Sequence, residues 1–401
     1  MELVDTAIIG AGPAGSAAAE LLARNGHSVA LIDKATFPRD KFCGDGLTTL
    51  ALRLLDEMGF DPRGVASWTP VDGATIRSPQ GRQIDVPLPD SGGVYAAIVR
   101  RTDLDAALVD FAIDAGAYGH FGRAVTGLDV ADDGVVVAMG DHTIRAHAII
   151  AADGMWSPTR KLLGLQTPDY RGEWHAFRQY FTDVAPAAAT KLWVWFEPDL
   201  LPGYMWSFPV GHGRANVGFG ILRGGDVTTQ DMKTLWPDLL GRPHIREVLG
   251  DSCVPEAPHR AWPIPARIDE ATLTGPRTLF VGDAAAACDV LTGEGIGQAL
   301  LTGRRAAQAL IDSSGDFDLA AQRYERAVRS ELVADHKLAK GLSRMLSSPK
   351  VAELSLRAVG SGDWTRRNFG RWMFEDYPRA LIATPRRWKR GMFSGPGAYE
   401  N

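Results

Sequence analysis

The stretch from Thr6 to Asp33 constrains the fold more than any other part of the chain. Thr6 to Gly10 (TAIIG) is a short apolar run that reads as a buried parallel strand, and it leads directly into G-A-G-P-A-G, residues 10–15. A helix from about Pro13 to Asn25 should follow. Ala14, Ser16, Ala17, Ala18 and Ala19 are small enough to pack closely on a sheet, and Gly26 is placed to end the helix. Ser28 to Ile32 is a second strand, closed by Asp33 with Lys34 beside it. This is a βαβ unit in which Gly10, Gly12 and Gly15 permit a tight turn. Pro13 and Ala14 open a helix whose free N–H groups can meet a pyrophosphate, and Asp33 can bond a ribose hydroxyl. An ordinary glycine turn is the bland alternative. Strand, helix, second strand and terminal acid together predict dinucleotide binding, and the charge of Asp33 disfavours a 2′-phosphate, leaving FAD or NAD.

A second glycine-rich element lies some 270 residues downstream, where the apolar run Thr278 to Val281 leads into Gly282-Asp283. Leu291-Thr292-Gly293-Glu294-Gly295-Ile296 then opens a predicted helix. Two such elements so far apart predict a ligand held at both ends of one sheet, and FAD is long enough to need both.

Further segments carry a resemblance. Phe37 to Gly46 (FPRDKFCGDG), the R-x-x-x-D of Arg101 to Asp105, the D-G-x-x-S-x-x-R of Asp153 to Arg160 and Gly282-Asp283 occur in order. With Gly10 to Gly15 they resemble the flavoprotein superfamily of aromatic hydroxylases, flavin-dependent halogenases and geranylgeranyl reductases, over most of residues 5–310. Leu201 to Pro209 (LPGYMWSFP) is similar to the P-G-Y-x-W-x-F-P signature of the geranylgeranyl reductase family. The resemblance implies an isoalloxazine lined by Arg39, Cys43 and Gly44, where Cys43 gates access or senses redox state; the bland alternative for Cys43 is small, buried packing. It also implies FAD contacts from Arg101, Asp153, Gly282, Asp283, Gly293, Gly295 and Ile296. Tyr204, Trp206 and Phe208 alternate, so on a strand they share one face and form a substrate wall; their bland alternative is sheet packing. One departure stands out: the family commonly has Asn-Pro before L-T-G-E-G, whereas this chain has Asp289-Val290, implying a less rigid loop.

Trp193-Val194-Trp195-Phe196-Glu197-Pro198 superficially echoes a halogenase motif, but Glu197 occupies its apolar position, and the pair reads as an ordinary period-2 strand. Neither Lys41 nor Lys191 has motif support as a halogenase lysine.

The expected fold class is α/β, a Rossmann-like FAD-binding domain with an inserted antiparallel β-sheet substrate domain and a helical C-terminal region. Residues 1–70, 95–165 and 272–312 form the discontinuous FAD-binding domain, 71–94 and 166–271 the substrate sheet, and 313–401 the helical region. A helix is expected from Leu104 to Ala115. A three-stranded excursion is expected over 123–151, divided at Asp132-Asp133-Gly134 and Gly140-Asp141.

Composition narrows the function. The 401 residues carry a net charge of −5, giving no global case for nucleic-acid binding. Cys43, Cys253 and Cys288 are too few and scattered for a disulfide framework or a CxxC metal site, and His175, His212, His244 and His259 lack ligand spacing, so no metal is expected. No apolar run approaches the length of a membrane span, and a cytoplasmic setting is expected. From Ser361 to Asn401 the chain is basic and aromatic: Arg366, Arg367, Arg371, Arg379, Arg386, Arg387, Lys389 and Arg390 against Asp363, Glu375, Asp376 and Glu400. Such a segment either contacts anionic lipid peripherally or docks as a terminal helix with its arginines outward.

The expected activity is FAD-dependent reduction of a carbon–carbon double bond of an isoprenoid or polyprenyl lipid, by hydride transfer from reduced flavin. Catalytic residues are not assigned. No independent NADPH-binding unit is present, so either NAD(P)H visits near Asp153 to Arg160 or another reductant, including a donor protein, supplies electrons. The rivals are a monooxygenase of an aromatic or polyketide-type substrate, a halogenase, and a non-enzymatic flavin-binding subunit without a pocket for a long apolar ligand.

Overall fold

The computed structural model describes residues 2–90, 92–388 and 390–400; Lys389 lies outside them. The chain opens with β1 (Glu2–Ile9), α1 (Pro13–Arg24) and β2 (Val29–Asp33). Proline occupies the start of α1, and Gly26 follows it with φ +82°, in the left-handed region that favours glycine. Helix α2 (Arg101–Asp114) begins three residues before the expected Leu104. Its first turn is fixed by Arg101, whose N–H donates to Asp45 Oδ1 (3.2 Å) and whose guanidinium pairs with Asp105 one turn on. Strand β3 (Tyr118–Phe121) leads to two strands, Gly127–Ala131 and Gly134–Met139, and then to β4 (His142–Ala151). This is the expected three-stranded excursion, and its third strand doubles as a strand of the main sheet.

The second sheet contains β5 (Trp174–Thr182), β6 (Leu192–Trp195), β7 (Met205–Pro209) and β8 (Ala215–Leu222). Its order is Val254–Pro255, β5, β8, β7, β6, Gly73–Arg77, Gln83–Pro87, with Arg260–Ile264 on β5. It is antiparallel except where β6 runs parallel to Gly73–Arg77. Trp193 and Trp195 stack at 5.8 Å and sit in a core with Met205, Phe219 and Trp236, so the pair is strand packing as the alternation implied.

The chain then returns to the first sheet through β9 (Thr278–Phe280) and α3 (Ile296–Asp312). The main path is Thr274–Gly275, β9, β4, β1, β2, β3. The register pairs Ile9 with both Ile32 and Ala151, and Ala151 with Phe280, so the carboxyl ends of four parallel strands finish together. That alignment brings the turns after β1, β2, β4 and β9 to one edge, where open α/β sheets bind ligands. On one face α1 and α3 meet backbone to backbone: a Cβ on Gly303 would lie 2.1 Å from Ala14 O.

Helix α4 (Phe317–Leu346), α5 (Pro349–Val359) and α6 (Asp363–Met373) follow. The tail docks on the body: Ala398 bridges Val94, Tyr399 OH donates to Phe60 O (2.8 Å), and Arg53 reaches the Asp376 carboxylate (2.5 Å) and Pro396 O. The outward arginines expected of a docked tail are only part of the picture. Arg371 and Arg379 are buried because Asp376 and Asp289 wait for them inside. Among the described residues no helix is long and apolar enough to cross a membrane.

Candidate active site

A cavity of about 1030 Å³ runs along the carboxyl edge of the main sheet to the second sheet. It is lined by Gly10, Gly12, Pro13, Ala14, Asp33, Lys34, Arg39, Cys43, Gly44, Arg101, Asp153, Gly282, Asp283, Gly293, Gly295 and Ile296, and also by Tyr204, Trp206 and Phe208. Of the residues assigned from sequence to cofactor or substrate binding, Gly15 alone does not line it. A Cβ there would sit 1.8 Å from Gly10 O, so Gly15 serves the packing of helix on turn. Gly10 is equally confined, its Cβ position lying 2.2 Å from Ala152 O at φ +103°. Gly12 differs: a Cβ would meet nothing closer than Arg39 Nη2 at 3.8 Å, so the backbone there faces open cavity.

These residues fit a dinucleotide. Helix α1 presents its first turn to the cavity with no acidic residue and no side-chain cap, leaving early N–H groups and the positive end of the helix dipole for an anion. Asp33 accepts from Ala11 N and Ala35 N (both 2.9 Å). Arg39 bridges Asp33 (3.4 Å) and Asp105 (3.0 Å), and Asp105 also holds Arg101. Asp153 accepts from Thr159 N through Oδ2 (2.9 Å), whereas its buried Oδ1 has no protein partner. A buried carboxylate oxygen without a donor is costly unless a ligand supplies one. Arg160 is committed elsewhere, donating to Ala284 O (2.8 Å) and Thr272 O (2.5 Å) over the Phe280 ring.

At the other end, Tyr204, Trp206 and Phe208 form the predicted row, successive ring centroids 6.1 Å apart, while Met205 and Ser207 alternate with them and are buried on the opposite face. Phe208 packs on Gly44, where a Cβ would be 3.3 Å from its ring. A small apolar recess of about 30 Å³, lined by Trp174, Ala176, Tyr204, Trp206, Gly220 and Leu291 among others, adjoins the row.

The row is held by a buried polar hub that sequence reading did not identify. Asn216 on β8 accepts from Trp206 Nε1 (3.1 Å) and donates to Cys43 O (2.9 Å) and Asp45 Oδ2 (2.7 Å). Tyr180 OH also donates to Asp45 Oδ2 (2.6 Å), and burial raises the Asp45 carboxyl above its ordinary range. Arg178 secures the preceding segment through Asp40 (2.9 Å) and Lys41 O (3.2 Å). Lys41 itself lies over Trp262 (4.3 Å) near Asp283 (3.8 Å), with its pKa lowered by burial. Burial also pushes the Cys43 thiol up to about 11, a resting thiol rather than a thiolate.

Around the 289–297 loop, acids cluster. Asp289 Oδ1 accepts from Leu291 N, Thr292 N and Thr292 Oγ1 (3.0, 2.7 and 2.8 Å), tying the loop in the absence of the proline. Tyr204 OH donates to Thr292 O. Burial, then the neighbouring Glu375, pushes Glu294 up to about 8; burial pushes Glu375 up to about 6. The tail residues Glu375 and Arg379 carried no sequence signal beyond composition. Nor did Glu2, His120 and His142, three strand residues outside the cavity lining whose Nε2–Oε2 separations are 3.6 and 3.9 Å.

Residues 3–312 match the family model of the FAD binding domain. Menaquinone reductase of Mycolicibacterium smegmatis is 33% identical over 378 residues, covering 88% of this chain and 86% of its own. Digeranylgeranylglycerophospholipid reductase 2 of Methanopyrus kandleri is 30% identical over 370 residues, covering 88% and 89%. Among solved structures, a geranylgeranyl bacteriochlorophyll reductase-like protein from Thermoplasma acidophilum superposes with a TM-score of 0.81 at 23% identity, covering 97% of this chain and 100% of its own. The halogenase PltM shares the fold at a TM-score of 0.73 and 19% identity.

Proposed function

Because the chain belongs to the FAD binding domain family and is an FAD-dependent oxidoreductase related over most of its length to lipid and quinone reductases, we propose that it saturates a carbon–carbon double bond of an isoprenoid chain carried on a lipid or quinone. The observation that carries this reading is the aromatic row Tyr204, Trp206 and Phe208 on the cavity wall, continuous with the apolar recess. An isolated alkene accepts hydride poorly, and the π faces of these rings favour the positive charge that develops on its carbons.

In this reading Gly12, Pro13 and Ala14 meet the pyrophosphate, Asp33 and Lys34 the ribose, and Arg39, Arg101, Asp153, Gly282 and Asp283 the middle of the cofactor. Cys43, Gly44, Gly293, Gly295 and Ile296 surround its ring. Bound FAD supplies hydride to substrate and accepts electrons from a donor. The donor is NAD(P)H or an electron-donor protein; with Arg160 engaged in the fold, a visiting nicotinamide is left Asp153 and the exposed Trp156. Trp364, Trp388 and Phe393 project from the tail region near exposed Arg367, Arg386 and Arg390, a composition suited to peripheral contact with the membrane that holds such substrates.

The test is anaerobic incubation of the dithionite-reduced holoenzyme with menaquinone or a geranylgeranylated glycerolipid, with products read by mass spectrometry. Saturation of one or more double bonds without oxygen is the expected result. An absolute requirement for oxygen would replace the reductase by a monooxygenase.

A further inference from the structure

Resting on the reductase reading, we infer that Glu294 donates the proton of the reduction, and that Glu375 and Arg379, brought in by the C-terminal tail, are positioning residues that keep that proton on Glu294. Saturation of an alkene adds a hydride to one carbon and a proton to the other. The hydride comes from reduced FAD, whose two electrons the external donor restores. The proton needs a neutral acid at the cavity wall.

Glu294 lines the cavity between Gly293 and Gly295. Its Oε1 accepts from Ile296 N and Gly297 N at the start of α3, both at 2.9 Å, which fixes the carboxyl. No hydrogen bond from the described residues engages Oε2. Asp289 and Glu375 crowd the same buried space, and Asp289 N donates to Glu294 O (2.7 Å). Among the described residues Arg379 is the one guanidinium paired inside this cluster, and it serves the other two acids: Nε lies 3.2 Å from Asp289 Oδ2 and Nη2 3.5 Å from Glu375 Oε1. Glu375 is further satisfied by Gln298 Nε2 (2.8 Å) and Thr48 Oγ1 (3.1 Å).

Three ionised carboxylates against one cation would leave two uncompensated buried charges. Retaining one proton is the cheaper state, and the acid without an ion pair keeps it. Glu294 is that acid, and its elevation to about 8, caused by burial and then by Glu375, agrees. From α4, Asp335 acts on Arg379 and is itself paired with Arg387 (2.9 Å), while burial lowers the pKa of His336 near Asp289. The other titratable groups within electrostatic reach of Glu294 are Tyr204 just before β7, Cys43 from the N-terminal segment and Cys288 beside the loop. Burial raises all three, so they stay neutral near pH 7 and leave the local balance to the acids and Arg379. In the step itself the Glu294 O–H bond breaks as the new C–H bond forms, and water reprotonates the carboxylate.

The sign is fixed: the donor is loaded below about pH 8 and lost as pH rises through that value. Glu294→Gln keeps the acceptor for both α3 N–H groups. With FAD content equal to wild type, it should slow anaerobic alkene saturation by about 10²–10⁴-fold. Infrared titration gives a readout independent of turnover. Wild type should show a protonated-carboxyl band at neutral pH that is missing in E294Q and that titrates away near pH 8. Glu375→Gln should move that midpoint, and the alkaline limb of the rate, to lower pH. A competent wild type with E294Q within about threefold of its rate, no E294Q-sensitive band, or an unmoved midpoint in E375Q overturns the assignment. A wild type unable to saturate any prenyl lipid overturns the reductase reading instead.

Discussion

Replacement of Asn216 by Ala tests the hub that orients the aromatic row. Asn216 is fully buried and joins Trp206 Nε1, Cys43 O and Asp45 Oδ2 by bonds of 3.1, 2.9 and 2.7 Å. Alanine removes all three at once. Each buried group left without a partner costs about 1–3 kcal/mol. Asp45 retains Tyr180 OH and Arg101 N as donors, which holds its share to the low end. The total is then about 3–6 kcal/mol, water in the vacated space favouring the lower figure. Unfolding entropy of about 2.1 cal/mol/K per residue over 401 residues is roughly 0.84 kcal/mol/K, so the holoenzyme should melt about 4–7 °C lower. Differential scanning fluorimetry at fixed FAD concentration measures this. Asn216→Asp separates geometry from charge: it keeps the acceptor for Trp206 but sets a second carboxylate beside Asp45. Its deficit should shrink in acid, where a proton shared by the pair removes the repulsion. Unchanged melting of N216A, or an N216D deficit that grows in acid, would refute the hub.

Other substitutions probe the remaining parts. Gly15→Ala should abolish FAD retention and lower yield, because its Cβ falls 1.8 Å from Gly10 O; Gly12→Ala should fold normally and weaken FAD binding, measured by flavin fluorescence on titration. Trp206→Ala should leave FAD bound while turnover falls at least tenfold; loss of FAD would move Trp206 from the substrate wall to the cofactor. Arg371→Met strands the buried Asp376 carboxylate, which Arg53 shares, and should cost about 3–5 kcal/mol in urea unfolding. Trp364→Ser with Trp388→Ser should reduce co-sedimentation with anionic vesicles and leave melting unchanged, since both rings are exposed.

What could be read from sequence was local or periodic. Gly10 to Asp33 declares itself because turn, helix and strand are consecutive, and the alternation 204, 206, 208 survives because a strand keeps its period. The excursion was legible from Asp132-Asp133-Gly134 and Gly140-Asp141, which became its two turns. Gly15 carries the fingerprint spacing, yet spacing alone does not distinguish a glycine facing ligand from one facing its own turn. Asn216, Glu375 and Arg379 were illegible for another reason: their partners lie 10–173 residues away for Asn216, and 327 and 77 residues away for Glu375, with no period connecting them. Counting charge in the tail treated Arg371 and Arg379 like their exposed neighbours, and only tertiary pairing separates them. The Asp289-Val290 departure is likewise intelligible in space, where the Asp289 carboxylate ties the loop and Arg379 meets it.

The docked tail also has a consequence for biosynthesis. The cavity draws its first wall from residue 10 and its last supports from residues 375–379, while Ala398 closes on Val94. A ribosome delivers these in order, at about 5–20 residues per second. During most of that interval the glycine turn and the aromatic row exist on a nascent chain whose charge cluster is incomplete. The charge balance around Glu294 is therefore a late product of synthesis, set only once residues 375–379 have emerged and packed against a cavity whose lining was complete some 75 residues earlier.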